Sequence, residues 1–217
     1  SENGLFAKLI YAPESYRLSD KLHEDYPWAK ERLSMGHPYD ITTNIFEKLP
    51  EIFKETYQIK EEEVRFYGRY KNERCYRWIK REYVDSHPNL DKYKVIVPKS
   101  NGSGAIGEVL SSPLIGEPLI GVTQTFLTIG AFDTRTEAEA CLKYVKTKFA
   151  RTMLGILKAT QDNPKETWRL VPLQDFTDRS DIDWSQSVAD IDRQLYRKYG
   201  LEEKEIAFIE EKVRAME

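Results

Sequence analysis

The chain has 217 residues, of which 40 % are apolar and 12 % are aromatic, and its formal net charge at pH 7 is −3. This composition excludes an intrinsically disordered chain, and the length suits one large domain or two small ones. No apolar run approaches the roughly 18 to 20 residues of a membrane-spanning helix, and residues 3–11, interrupted by Lys8, are too short for a signal peptide. We therefore expect a cytoplasmic protein with no membrane partner.

The cysteines and histidines give little support for a metal or catalytic site. Cys75 and Cys141 are far apart in the sequence, and neither has a Cys or His at metal-ligand spacing. His23, His37 and His87 are scattered along the chain. The sequence predicts a reduced protein without zinc and without a catalytic histidine.

The N-terminal part, residues 1–62, is mostly polar and is predicted to be a helical spacer or linker. Its clearest helical pattern covers residues 44–57, where five apolar residues share one face. Pro50 lies inside this segment and is expected to break or kink the helix. Residues 63–217 are predicted to form the functional domain.

A basic and aromatic stretch opens that domain. Residues 64–81 contain seven Lys and Arg residues and one acid, Glu73, which gives a local net charge of +6. Residues 175–217 contain twelve acids and seven bases, which gives −5. The nearly neutral total therefore hides a basic face. The stretch itself is predicted to be an amphipathic strand or helix.

The remaining segments mix strands with helices. Residues 92–100 are predicted to be a strand that leads into a Gly-containing loop at 100–104, and residues 118–132 one or two strands. A long helix is predicted at 136–159, with a capping box formed by Thr134 and Glu137. Residues 168–176 are predicted to be a short strand, followed by two short helices separated by Gly200. We expect an α+β fold in which a small curved sheet, carrying DNA-reading loops, packs against the long helix and the C-terminal helices.

Motifs of common enzymes are not found in the setting that they need. The GxGxxG spacing of residues 102–107 is not predicted to open a helix, and the sequence has no GxxxxGK[ST] and no GxSxG. The loop at 100–107, SNGSGAIG, is a weak match to a phosphate-binding loop. The aspartates of DRSDIDWS, residues 178–185, are typical of turns and helix caps, with divalent-metal binding as the less favoured alternative.

The basic stretch has the residue types that bind nucleic acid. Lys and Arg neutralise backbone phosphates, Arg can bind the O6/N7 edge of guanine with two hydrogen bonds, and Asn can do the same for adenine. Residues with these capacities are Arg69, Lys71, Asn72, Arg74 and Arg77. The neighbouring aromatic residues Phe66, Tyr70 and Trp78 are expected to lie in the core rather than to stack on bases.

Three long segments carry a resemblance to a known family. The first is VPKSNGSGAIGEVLSSPLIGEP, and the second is AFDTRTEAEACLKYVKTKFARTMLGILKATQDNPKETWRLVPLQDF. The third starts with DIDWSQSVADIDRQLYRKYGL and ends with EIAFIEEKV. The chain from about residue 65 to 217 resembles the C-terminal Taq-like target-recognition (specificity) domain of bacterial type II restriction-modification enzymes with an adenine-specific DNA methyltransferase.

The resemblance implies a module that reads double-stranded DNA while an upstream methyltransferase domain of the parent chain, with bound S-adenosylmethionine, carries out methyl transfer. The present sequence has no N-P-P-Y motif, so it is expected to hold no cofactor and no catalytic residue of its own. This absence and the start at Ser1 fit a fragment of a larger polypeptide. We add the loop residues Lys99, Ser100, Asn101 and Ser103 to the expected DNA-binding set.

Two other functions remain open at this point. A metal-dependent nuclease could use Asp178, Asp181 and Asp183. Alternatively, the acidic C-terminal helices could make the chain a protein-docking module of a restriction-modification complex.

Overall fold

The computed structural model describes residues 4–100, 107, 110–158, 160 and 162–216. The fold is α+β, as the sequence predicts, and it contains two small open sheets instead of a single one. In chain order the strands are β1 (Ile10–Tyr11), β2 (Glu63–Tyr70), β3 (Glu73–Lys80), β4 (Tyr93–Pro98), β5 (Leu114–Gly116), β6 (Ile120–Val122) and β7 (Phe126–Phe132). The α-helices are α1 (Asp20–Asp25), α2 (Ala29–Arg32), α3 (Ile45–Lys48), α4 (Arg135–Lys146), α5 (Lys148–Leu157), α6 (Val188–Lys198) and α7 (Glu203–Lys212).

The two sheets differ in size and in strand direction. The larger sheet has the order β1-β7-β4-β5, and its neighbouring strands are all antiparallel. The smaller sheet has the order β3-β2-β6, in which β2 pairs antiparallel with β3 and parallel with β6. The expected strands at 92–100 and 118–132 are confirmed, the second as two strands.

A buried lysine joins the two sheets. Lys94 of β4 has no exposed surface, and its Nζ lies within hydrogen-bonding distance of three backbone carbonyls: Leu90 at 3.3 Å, Glu117 at 3.2 Å and Ile120, in β6, at 2.9 Å. Because β4 belongs to the larger sheet and β6 to the smaller one, this side chain fixes the relative position of the two sheets.

The larger sheet packs against α4–α7 around one hydrophobic core. Val95, Val97, Leu127 and Ile129 of the sheet meet apolar side chains of the helices there. The Thr134–Glu137 capping box is confirmed at the start of α4. The two C-terminal helices are also confirmed, and Gly200 follows α6 with a φ of +64°, which is the left-handed conformation that favours glycine at a helix end.

The smaller sheet packs against the N-terminal part of the chain around a second core. Residues on both sides of position 62 meet in it, among them Leu22, Phe46 and Phe53 from the N-terminal part and Val64 and Phe66 from β2. A domain boundary after residue 62 would divide this core. The N-terminal part is not mostly helical, because α1–α3 are short, and the segment predicted at 44–57 forms only α3, which ends before Pro50 as expected.

The long helix expected at 136–159 is two helices. Thr147 separates α4 from α5 with a ψ of 148°, and its side-chain oxygen accepts a hydrogen bond from the N–H of Ala150. The Asp192 carboxylate accepts the N–H groups of Lys148 and Phe149 at 3.0 and 2.9 Å. A local cap and a distant carboxylate therefore stabilise a new helix start inside a continuous apolar pattern. Ala159 lies outside the described residues.

The prediction of a strand at 168–176 is wrong. Lys165–Leu170 form a 3-10 helix, and Pro172 makes only an isolated bridge with Leu5. Trp168 is buried against Phe6 with ring centroids 5.6 Å apart, so tertiary packing of the indole overrides the local strand preference. Within the described residues, no helix combines the length and apolarity that crossing a membrane requires.

Candidate nucleic-acid interface

The basic stretch forms the β2–β3 hairpin. Its strands pair from Glu63 with Lys80 to Tyr70 with Glu73, so that only Lys71 and Asn72 form the turn. Both turn residues have positive φ, 48° and 66°, as in a type I′ turn, whose twist matches that of the flanking strands. The Lys71 N–H donates to the Glu47 carboxylate at 2.9 Å, so a side chain of α3 helps to hold the hairpin tip.

Strand alternation divides the hairpin into two faces. The core face carries Val64, Phe66, Gly68, Cys75, Arg77 and Ile79 and packs towards α3. We call the opposite side the cleft face; it carries Arg65, Tyr67, Arg69, Arg74, Tyr76 and Trp78. The arginines expected to act together are therefore separated, because Arg77 lies on the other face from Arg69 and Arg74.

Cations and aromatic rings alternate on the cleft face. The Arg65 guanidinium lies 5.1 Å from the Tyr76 ring centroid and 5.2 Å from that of Trp78. The Tyr67 ring stacks on Phe126 of β7 at 4.6 Å, and the Arg74 guanidinium lies 5.4 Å from the Phe126 centroid. The rings restrict the arginine side chains without neutralising them.

A cleft of about 390 Å³ lies between the hairpin tip and the end of β4. The hairpin contributes Arg69, Asn72 and Arg74 to its wall. The remaining lining residues come from the chain before α3, the end of β4 and the segment before β7: Thr43, Pro98, Lys99, Ser100, Gln124 and Thr125. Lys99 is held beside this last segment, because its N–H donates to the Thr125 carbonyl at 2.9 Å. Five of the nine expected DNA-binding residues thus line one cleft.

The described lining of the cleft carries positive charge. It includes Arg69, Arg74 and Lys99, and no Asp or Glu is among the described residues that line it. Within the described part of the chain, none of these three cations takes part in an ion pair. Surface arginines elsewhere are commonly paired, as Arg81 is with Asp91 and Arg135 with Glu117. The charge of the cleft is therefore available to an anionic ligand.

Hydrogen bonds orient several of the polar lining residues. Arg69 Nη2 donates to Asn72 Oδ1 at 3.1 Å, and Gln124 Nε2 donates to Asp40 Oδ2 at 3.3 Å. The Ser100 hydroxyl donates to the Asp162 carboxylate. Chain segments distant in sequence therefore hold the amide and hydroxyl groups in place around the cleft.

Two expected DNA-binding residues, Arg77 and Lys71, do not line the cleft, and two more lie outside the described residues. Arg77 packs over Tyr70 and Phe46, pairs with Glu55 at 3.4 Å and leaves only 13 % of its side chain exposed, so a DNA-contacting role for it is not supported. Lys71 is exposed at the turn, beside the cleft. Asn101 and Ser103 lie outside the described residues, as do Gly102 and Gly104 of the expected loop.

Three polar cleft residues were missed by the sequence analysis: Thr43, Gln124 and Thr125. They lie in the short connections before α3 and between β6 and β7, and each is an ordinary polar loop residue in the sequence. No local pattern distinguishes them. The pairing of β2 with β6 and of β4 with β7 brings Gln124 and Thr125 to the hairpin tip.

The aspartates of residues 178–185 serve the local structure. Asp183 accepts the Ser185 N–H at 3.0 Å and its hydroxyl at 2.6 Å, and Asp181 pairs with Lys198 at 2.7 Å. Ser187 caps α6 through the N–H of Asp190, as the capping alternative predicts. Among the described residues, no three His, Cys, Asp or Glu side chains are grouped so that they could hold a metal ion.

One histidine contacts a serine, but in an arrangement unsuited to catalysis. His87 Nε2 lies 3.0 Å from Ser15 Oγ, and its Nδ1 accepts the Asn89 N–H at 3.2 Å. The ring proton is thereby assigned to Nε2, which donates to the serine and cannot take up its proton. Burial lowers the pKa of His87 to about 4, so the ring is neutral at pH 7. This pair is structural.

Comparison with known proteins gives no match, since no family model, no curated protein and no solved structure is significantly similar to this chain. The cleft is therefore interpreted from its own geometry and charge.

Proposed function

We propose that this chain recognises double-stranded DNA in a sequence-specific manner, with the β2–β3 hairpin tip and the cleft beside it as the DNA-binding surface. The observation that carries the proposal is that Arg69, Arg74 and Lys99 meet in a concave surface, and that no carboxylate is among the described residues of its lining. Unpaired cations at such a surface favour a polyanion, because each phosphate contact releases condensed counterions.

The shape of the hairpin supports a duplex as the ligand. The major groove of B-DNA is about 12 Å wide and admits a two-stranded β-ribbon. The tip of the hairpin, from Lys71 to Arg74, is exposed and ends in a two-residue turn, so it is narrow enough to enter. Lys99 lies across the cleft from the ribbon, where it would meet a phosphate of the groove edge.

The cleft also contains groups that distinguish bases. Arginine suits guanine, and the side-chain amides of asparagine and glutamine suit adenine. Arg69, Asn72, Arg74 and Gln124 provide these groups on one surface. Phosphate contacts from Lys99 and Arg69 would set the position of the duplex, and one or two of the other side chains would then read its sequence.

The resemblance noted in the sequence gives this DNA-binding role a setting. We propose that the chain is the target-recognition module of an adenine-specific restriction-modification enzyme. The parent protein would supply the methyltransferase domain, with S-adenosylmethionine, and any nuclease activity. Recognition alone is the proposed task of the present residues.

A salt titration tests the proposal. Binding of a random-sequence duplex pool is measured against salt concentration for the unaltered chain and for Arg69→Ala/Lys99→Ala, which removes one cation from each wall of the cleft. We expect a log–log slope of roughly −3 to −6 for the unaltered chain, and a slope about two units less steep for the variant, from about 0.9 per phosphate contact.

The matched control is Arg193→Ala/Lys204→Ala. It removes the same two residue types from α6 and α7, where their side chains are 70 % and 81 % exposed. Its slope should equal that of the unaltered chain. Salt-independent binding by the unaltered chain, or equal slopes for the two double variants, would contradict the proposed function.

A further inference from the structure

This inference rests on the proposed function and assigns a role within the cleft. We propose that Arg74 is the residue that selects a guanine, and that Phe126 positions it to do so. Arg74 is exposed and follows the hairpin turn by two residues, so it lies at the part of the ribbon expected to enter the groove first.

The aromatic stack holds the Arg74 guanidinium in place. Phe126 is 1 % exposed, and its ring stacks on Tyr67 at 4.6 Å with an interplanar angle of 24°. Tyr67 in turn contacts Tyr76 at 4.8 Å. Buried rings in such a stack have little freedom to move, so the guanidinium that lies over Phe126 is supported by a rigid base.

The hydrogen-bonding edge of Arg74 is not used elsewhere. Within the described residues, the Arg74 side chain takes part in no hydrogen bond or ion pair, and its contact is to the face of a ring. A guanidinium carries five N–H donors, and stacking leaves their edge available for the paired O6 and N7 acceptors of guanine. Reduced freedom before binding also lowers the entropy cost of forming the two bonds.

The other cations of the region are less suited to this task. Arg69 already donates to Asn72 at 3.1 Å, and Arg77 is paired with Glu55 on the opposite face of the hairpin. Lys99 is a flexible point charge, which suits a phosphate better than a planar base edge. Arg74 is thus suited to read a base, whereas Arg69 and Lys99 are suited to contact DNA phosphates.

The experiment is a selection of bound duplexes from a random pool, followed by sequencing. The unaltered chain is compared with Arg74→Lys and Phe126→Leu, and with the matched control Arg193→Lys at an exposed position on α6. Arg74→Lys keeps the charge but loses the planar fork and the stacking contact. Salt titrations of the same variants report the number of phosphate contacts.

We expect the unaltered chain to enrich a motif with one fixed guanine. Arg74→Lys should reduce the preference for guanine at that position at least about 5-fold, Phe126→Leu should reduce it in the same direction, and the salt slopes should not change. Arg193→Lys should retain the guanine. A motif without a fixed guanine, or one that Arg74→Lys retains, overturns the role of Arg74 and leaves the proposed function standing. Salt-independent binding by the unaltered chain overturns both.

Discussion

The buried Lys94 makes the stability of the protein depend on pH in a direction that can be worked out. Burial lowers the pKa of this side chain from 10.5 to about 7. Between these two values the folded protein holds a neutral amine, whereas the unfolded chain holds an ammonium ion. The unfolded state then binds one more proton, so the free energy of unfolding rises as the pH rises through this range.

The expected magnitude follows from the linkage relation. One group contributes about 1.4 kcal/mol per pH unit inside the window, which gives about 2 kcal/mol between about pH 7.5 and pH 9. Other groups act in the opposite direction. Burial raises the pKa of Cys141, so ionisation of this thiol in the unfolded chain lowers the stability towards pH 9. The contribution of Lys94 must therefore be measured as a difference.

Urea denaturation at several pH values, with and without Lys94→Met, gives that difference. The variant keeps Cys141 and removes only the titrating amine, so the unaltered chain should gain about 2 kcal/mol relative to it between about pH 7.5 and pH 9. Lys204→Met, at an exposed position on α7, serves as the control and should follow the unaltered chain. Parallel pH profiles for the unaltered chain and Lys94→Met would refute the reasoning.

Three further predictions concern the hairpin and are read out by urea denaturation. Arg77→Ala should lower stability by about 1 kcal/mol through lost packing and leave the DNA salt slope unchanged; a less steep slope would show that Arg77 contacts DNA. Gly68→Ala should lower the free energy of unfolding by about 1–3 kcal/mol, because the added Cβ would lie 2.6 Å from Thr123 and 2.8 Å from Phe46. An unchanged free energy of unfolding would contradict this packing. Asn72→Ala should be about 1–2 kcal/mol less stable than Asn72→Gly, because φ is +66° and both changes remove the bond to Arg69; equal stabilities would contradict the type I′ turn.

Local sequence patterns predict much of the fold. The capping box at Thr134, the glycine after α6 and the apolar run of the strand at 92–100 each involve a few neighbouring residues, so they are visible without tertiary structure. The division of the helix at Thr147 is different in kind. It depends on Asp192, which reaches the first N–H groups of α5 from a distant helix.

The candidate site shows the same division between local and distant information. The charge of the hairpin is a local property of composition, and it identifies Arg69 and Arg74. Strand pairing then places Arg77 on the opposite face, which composition cannot show while strand and helix remain alternatives. Gln124 and Thr125 enter the cleft only because β7 pairs with β4, a contact between segments far apart in the chain.

The most direct test of the central claim is to locate the duplex on the protein by NMR. Amide signals of the ¹⁵N-labelled chain are followed while a short duplex, taken from the bound pool, is added at low salt. We expect the largest shifts at residues 69–74, 99–100 and 124–125, and little change at α6 and α7. Shifts centred on the acidic C-terminal helices, or no shifts at saturating duplex, would contradict it.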